Sequence, residues 1–236
     1  MRFHRFILRA IMCCALAASS RSLADEVTRV VLIGDSTVAS GSGWGDGLIK
    51  LMGPGVEGVN LAAKGRSSKS YRAEGYWQKV LEKKPDWVLI QFGHNDQPGK
   101  GPKLETDAKT TFRENLVRYI DEAKAIGAKP VIVTSLVRRN FDPQGKILPD
   151  LLVPYVEAAQ AVAADKQVPL VDLYARSLEQ MNQLGPESAL AYDAKPKDPA
   201  KPDKTHLSPL GETETAKLVA DGIRNTSPDL AKILHP

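Results

Sequence analysis

Val30-Val31-Leu32-Ile33-Gly34-Asp35-Ser36-Thr37 is the stretch on which the reading of the fold turns. Four consecutive aliphatic residues, three of them β-branched, predict a strand buried on both faces, as in a parallel sheet. The run stops at a glycine, an acid and two hydroxyls. Ligands of open α/β sheets bind beyond the carboxyl ends of the strands, so Ser36 is expected where chemistry is done. The same residues also describe a plain turn with helix-capping hydroxyls. The rest of the chain has to decide between the two.

Working outward, four more apolar segments read as strands. Residues 56–63 end in Lys64-Gly65-Arg66-Ser67-Ser68, and 87–92 end in Gly93-His94-Asn95-Asp96-Gln97-Pro98. Residues 130–134 form the fourth, and 168–173 the fifth, whose Pro169 marks an edge strand or a strand start. Helical spacing predicts helices over 71–84, with Tyr76, Trp77, Val80 and Leu81 on one face, and over 106–126. Further helices are expected at 151–166, at 174–184 and from Ser208-Pro209 onward, where a capping hydroxyl precedes a proline. Glycines 41, 43, 45 and 47 around Trp44 lack dinucleotide-binding spacing and read as a flexible rim loop carrying one aromatic. Residues 138–149 and 185–204 read as loops. The alternation of strand and helix predicts an α/β fold, a three-layer α/β/α sandwich around a five-stranded parallel sheet.

The first 24 residues stand apart. Arginines at 2, 5 and 9 accompany a short apolar run, and Ser22-Leu23-Ala24 supplies the small residues that a signal peptidase reads. The run is too short to span a bilayer. A cleaved secretory signal, residues 1–24, and one domain, residues 25–236, are therefore expected, in a secreted or periplasmic protein without stable membrane insertion after cleavage. Cleavage removes both cysteines, which excludes a disulfide or a thiol nucleophile. It also removes four arginines and no acid, leaving 28 basic against 28 acidic residues. The basicity thus belongs to the signal and is no evidence for nucleic-acid binding.

The mature chain keeps three histidines, His94, His206 and His235. Hydrolysis of an ester by a serine needs a base, an acid that orients the base, and donors for the developing oxyanion. His235 sits at the chain end and His94 adjoins a candidate oxyanion donor, Asn95, where it is either structural or a substrate contact. That leaves His206 as base and Asp203, three residues earlier in a turn, as its partner, although a local turn with a surface histidine has the same sequence. Asn95 and the backbone amides of Ser36 and Gly65 are the candidate oxyanion donors, and Gly65 is also readable as an ordinary loop glycine. Asp35 and Asp96 are expected to hold backbone amides in the turns.

Gly34-Asp35-Ser36, Gly65, Gly93-His94-Asn95-Asp96 and Asp203-x-x-His206, in this order, resemble the four blocks of the SGNH (GDSL-type) hydrolases. The resemblance implies a flavodoxin-like sandwich with Ser36 as nucleophile, His206 as base, Asp203 as its partner, and Ser36, Gly65 and Asn95 at the oxyanion hole, without a metal or organic cofactor. Gly34-Asp35-Ser36-Thr37, Gly93-His94-Asn95-Asp96, residues 133–139 and Asp203-Lys204-Thr205-His206 look most like rhamnogalacturonan acetylesterases and related carbohydrate deacetylases. Glu212 after Gly211 departs from the small residue usual there. The expected reaction is removal of O-acetyl groups from a plant-type polysaccharide or oligosaccharide. Trp44 and Tyr71 are candidates to stack on sugar rings, and His94 to contact substrate. Arg138 and Arg139, with Lys195, Lys197, Lys201 and Lys204, are candidates for a basic rim facing galacturonate carboxylates; a solvated charged loop is the plainer reading of the lysines. A lipase or lysophospholipase on the same scaffold and a non-catalytic carbohydrate-binding protein are the rival functions.

Overall fold

The structure, a computed structural model, describes residues 27–196, 198 and 200–235. The expected signal, residues 1–24, and Lys197 lie outside the described residues. Strands β1 (Thr28–Gly34), β2 (Val56–Asn60), β3 (Trp87–Gln91), β4 (Lys129–Val133) and β5 (Leu170–Val171) form one sheet in the order β2-β1-β3-β4-β5. All four pairings are parallel. The order reverses between β1 and β3, and at such a switch point loops diverge and leave a crevice beyond the strand ends.

Side-chain alternation divides the core between the two faces. Val31 and Ile33 of β1, with Val88 and Ile90 of β3, pack against Tyr71, Trp77, Phe112, Leu116 and Tyr119. These come from α2 (Ser68–Ala73), α3 (Tyr76–Glu82) and α4 (Thr111–Ala125), and α5 (Val153–Asp165) completes that layer. Val30, Leu32 and Leu89 face the other way, onto α1 (Gly45–Ile49) and α7 (Pro209–Thr226) through Leu48, Ala216, Val219 and Ile223. Each fully buried aliphatic contributes about 1.5–3 kcal/mol, so both coats are needed to hold β1 in place. This is the expected three-layer sandwich.

Several element limits differ from the reading above, each for a local reason. The helix expected at 71–84 is two, because Gly75 adopts φ 78° between α2 and α3. The helix expected from 106 begins at Thr111, since the Asp107 carboxylate captures the amides of Lys109 and Thr110 in a turn. The fifth strand is two residues long, with Pro169 just before it. Residues 185–204 are not one loop. Helix α6 (Leu173–Ala189) continues past a kink at Gly185, and an antiparallel hairpin follows, β6 (Asp193–Ala194) against β7 (Asp203–Leu207). Asp203 and His206 therefore lie on a strand rather than in a turn. Helix α7 starts as expected, with the Ser208 hydroxyl accepting from the Gly211 amide at 3.1 Å and Pro209 in the first turn. Helix α8 (Pro228–Ala231) follows it. Among the described residues, no helix is long and apolar enough to cross a membrane.

Candidate active site

Ser36 lies two residues past the end of β1 and is 9% exposed. Its turn is built from a buried polar chain. The Trp44 indole N–H donates to Gln91 Oε1 at 2.8 Å, the Gln91 amide donates to Thr37 Oγ1 at 2.6 Å, and the Thr37 hydroxyl donates to Asp35 Oδ1 at 2.7 Å. The same Asp35 oxygen accepts the Thr37 amide at 2.8 Å. Burial is the main influence on Asp35 and raises its pKa, against the opposing effect of the Thr37 donors. The loop after Ser36 folds back on this chain because residue 43 is glycine: a Cβ there would lie 2.1 Å from the Thr37 carbonyl carbon. The glycine-rich stretch is thus a tight turn at residues 42–44 that runs into α1 at Gly45, and only its start at Gly41 is open to solvent.

The oxyanion candidates stand at the ends of β2 and β3. Gly65 takes φ 76°, the left-handed region that favours glycine. Among the described residues, neither the Ser36 nor the Gly65 amide has a protein acceptor, so both are available as donors. Asn95 Nδ2 donates to the Arg66 carbonyl at 3.1 Å, tying it to the Gly65 loop and leaving its second N–H free. Asp96 is fully buried and accepts from the Ser68 hydroxyl at 2.6 Å, the Ser68 amide at 3.1 Å and the Thr106 hydroxyl at 3.0 Å. It therefore fastens the β3 loop to the start of α2, 28 residues away, as well as holding an amide. Burial outweighs these donors and pushes its pKa up to about 7.

The hairpin brings the remaining groups. His206 Nε2 lies 2.8 Å from Ser36 Oγ, and His206 Nδ1 lies 2.7 Å from Asp203 Oδ2. The second Asp203 oxygen accepts the amides of Thr205 at 3.1 Å and His206 at 2.9 Å. Partial burial acts to raise the Asp203 pKa, but the His206 amide and ring with the Thr205 amide outweigh it, and the carboxyl stays below the usual range. The chemistry is legible from the partners. A carboxylate accepting Nδ1–H fixes the imidazole tautomer and leaves Nε2 to take the proton of the Ser36 hydroxyl.

The expected substrate contacts are placed otherwise. Trp44 is 1% exposed and engaged with Gln91, and Tyr71 is buried with its hydroxyl donating to the Leu61 carbonyl at 2.7 Å. Both are core residues, so neither presents a ring for sugar stacking. Arg139 is 2% exposed: Nε donates to Asp193 Oδ1 and Nη2 to the His206 carbonyl at 2.6 Å. Arg138 is occupied by Asp150 at 2.6 Å and Gln97 at 3.0 Å. The two arginines hold loops together and do not form a basic rim. His94 is buried, with no partner for either ring nitrogen among the described residues. Burial first, then Arg138, holds its pKa well below the ordinary histidine value. Lys201 and Lys204 do reach a groove of about 450 Å³ beside Asp203, which Asn140, Asp198 and Thr205 also line. Among the described residues, no group of three or more His, Cys, Asp or Glu side chains is placed to hold a metal ion. Sequence reasoning missed Gln91, whose polar side chain at the end of an apolar strand was the available signal, and Ser42, for which there was none.

Residues 32–213 match the GDSL-like lipase/acylhydrolase family. A rhamnogalacturonan acetylesterase of Bacillus subtilis is 38% identical over 211 residues, covering 83% of this chain and 89% of its own length. A probable rhamnogalacturonan acetylesterase from the same organism is 34% identical over 203 residues, covering 83% and 92%. Among solved structures, a catalytic mutant of an acetylxylan esterase from Geobacillus stearothermophilus superposes with a TM-score of 0.63 at 21% identity, over 83% of this chain and 94% of that one.

Proposed function

Because the chain belongs to the GDSL-like lipase/acylhydrolase family and is a carboxylic ester hydrolase, we propose that it removes O-acetyl groups from a plant-type polysaccharide, rhamnogalacturonan or a related pectin, through a serine acyl-enzyme. The observation that carries the mechanism is the unbroken line Ser36 Oγ, His206 Nε2, His206 Nδ1, Asp203 Oδ2, with both contacts under 3 Å. The Ser36 oxygen attacks the acetyl carbonyl as its proton passes to Nε2. The charge that develops on the carbonyl oxygen is met by the Ser36 and Gly65 amides and Asn95 Nδ2, and one such donor is worth about 3–4 kcal/mol in the transition state. Collapse returns the proton from Nε2 to the departing sugar oxygen and leaves acetyl-Ser36. Water then attacks with His206 again taking a proton, which releases acetate and restores the hydroxyl.

The two curated relatives support the carbohydrate, and rhamnogalacturonan in particular. The groove at Lys201 and Lys204 offers cations to uronate carboxylates along the polymer. Residues 1–24 would export the enzyme to where such polymers are met.

Acetate release from acetylated rhamnogalacturonan, homogalacturonan and xylan, run beside p-nitrophenyl acetate and octanoate, tests the reading. Rhamnogalacturonan is expected to be deacetylated fastest and acetate to be preferred over octanoate; the reverse chain-length preference overturns the substrate. Ser36→Ala is expected to lower kcat about 10⁴-fold or more with the fold intact, and retained activity overturns the mechanism.

A further inference from the structure

One residue outside the constellation touches both halves of it. Ser42 is 8% exposed and lies in the close-packed loop after Ser36. Its hydroxyl donates to the Ser36 carbonyl at 2.6 Å, and its own carbonyl accepts the amide of Leu207, the residue after His206, at 3.0 Å. The serine and the histidine are 170 residues apart in the chain, and β7 pairs with β6 rather than with the main sheet. No strand ladder therefore sets how closely His206 approaches Ser36. Arg139 holds the far flank of β7, with Nη2 on the His206 carbonyl and its amide on the Lys204 carbonyl at 3.0 Å. Ser42 holds the near flank, on the backbone of Ser36 itself and one residue from His206.

We propose that Ser42 is a positioning residue for proton transfer: by bridging the Ser36 carbonyl to the Leu207 amide it sets the separation of Ser36 Oγ and His206 Nε2. Such a separation is worth controlling, because a misplacement of about 1 Å costs on the order of a hundredfold in rate. Ser42→Ala removes the hydroxyl while keeping the backbone link to Leu207, and Ser42→Thr keeps both. Ser40, in the same loop, is exposed and donates to Asp46 Oδ1 at 3.0 Å, which makes Ser40→Ala a matched control.

The inference rests on the esterase reading above, and the experiment separates the two. Second-order labelling of Ser36 by a fluorophosphonate is measured with kcat and KM for p-nitrophenyl acetate and with Tm, for wild type and the three variants. Ser42→Ala is expected to lose about tenfold to a hundredfold in kcat and equally in labelling rate, with KM within about twofold. Its Tm is expected about 2–4 °C lower, for one lost hydrogen bond. Ser42→Thr is expected to recover most of both rates, and Ser40→Ala to match wild type. Wild-type labelling by Ser42→Ala overturns the positioning role alone, as does a loss expressed in KM or one that Ser42→Thr fails to restore. Failure of wild type to label at Ser36 overturns the esterase reading itself.

Discussion

The Ser36 turn and the β6–β7 hairpin meet across one hydrogen bond, yet they are held by different physics. On the serine side every supporting group is buried and nearly all are neutral: Trp44, Gln91 and Thr37 form a chain of hydrogen bonds ending on Asp35. On the histidine side His206 and Asp203 are about one-third exposed, and the hairpin is fastened by a buried ion pair, Arg139 with Asp193, set back from them. Buried hydrogen bonds fix direction and fail locally when cut. A buried ion pair fails altogether when one partner goes, since the other is left charged and unsolvated. Ser36 is held by many small constraints and His206 by few large ones.

That contrast can be broken experimentally. The largest effect is expected from Arg139→Met, which strands the Asp193 carboxylate at 11% exposure. It should cost about 3–5 kcal/mol of stability, a fall in Tm on the order of 10 °C, with turnover reduced because the His206 carbonyl loses its donor. A thermal melt and acetate release check it; a wild-type melt would show that the hairpin is not anchored there. Next comes Gln91→Leu. It orphans the Trp44 indole N–H in the core and should cost about 2 kcal/mol, some 4–8 °C in Tm, with only a few-fold loss in kcat. A kcat loss as large as its stability loss would make the serine turn as brittle as the hairpin.

A further test, on the β3 loop, is a pH dependence. The Asp96 pKa is raised by burial to about 7, so between roughly pH 4, its unfolded value, and 7 the folded chain holds a proton that the unfolded chain has released. Its contribution to stability is full below that window and is lost as pH rises through 7. The Tm difference between wild type and Asp96→Asn should therefore shift against wild type from pH 5 to pH 8. A pH-independent difference would mean that the Ser68 and Thr106 donors hold the carboxylate ionised throughout.

The sheet and the order of the blocks could be read from the chain because both faces of β1 and β3 are apolar, and a doubly buried strand has a plain signature. Ser36, Asn95 and His206 could be picked out because few residues can do their work and each follows a recognisable strand end or spacing. What the aromatics and arginines do could not be read. Trp44 turns inward to bond Gln91, 47 residues later, a partner with no trace in Trp44's own neighbourhood of sequence. Arg139 is buried only because Asp193, 54 residues later, comes back to meet it. The hairpin was hidden in a segment rich in proline and lysine, whose pairing is decided by partners rather than by propensity.

The distance along the chain between hydroxyl and imidazole has a consequence for how the molecule is made. Ser36 leaves the ribosome about 170 residues ahead of His206, and α7, which covers one face of the sheet, is made later still. On the proposed mechanism, the hydroxyl has no base beside it until the hairpin has been made and docked. A polypeptide cut short before residue 206 would therefore carry the hydroxyl without the imidazole that activates it on that mechanism.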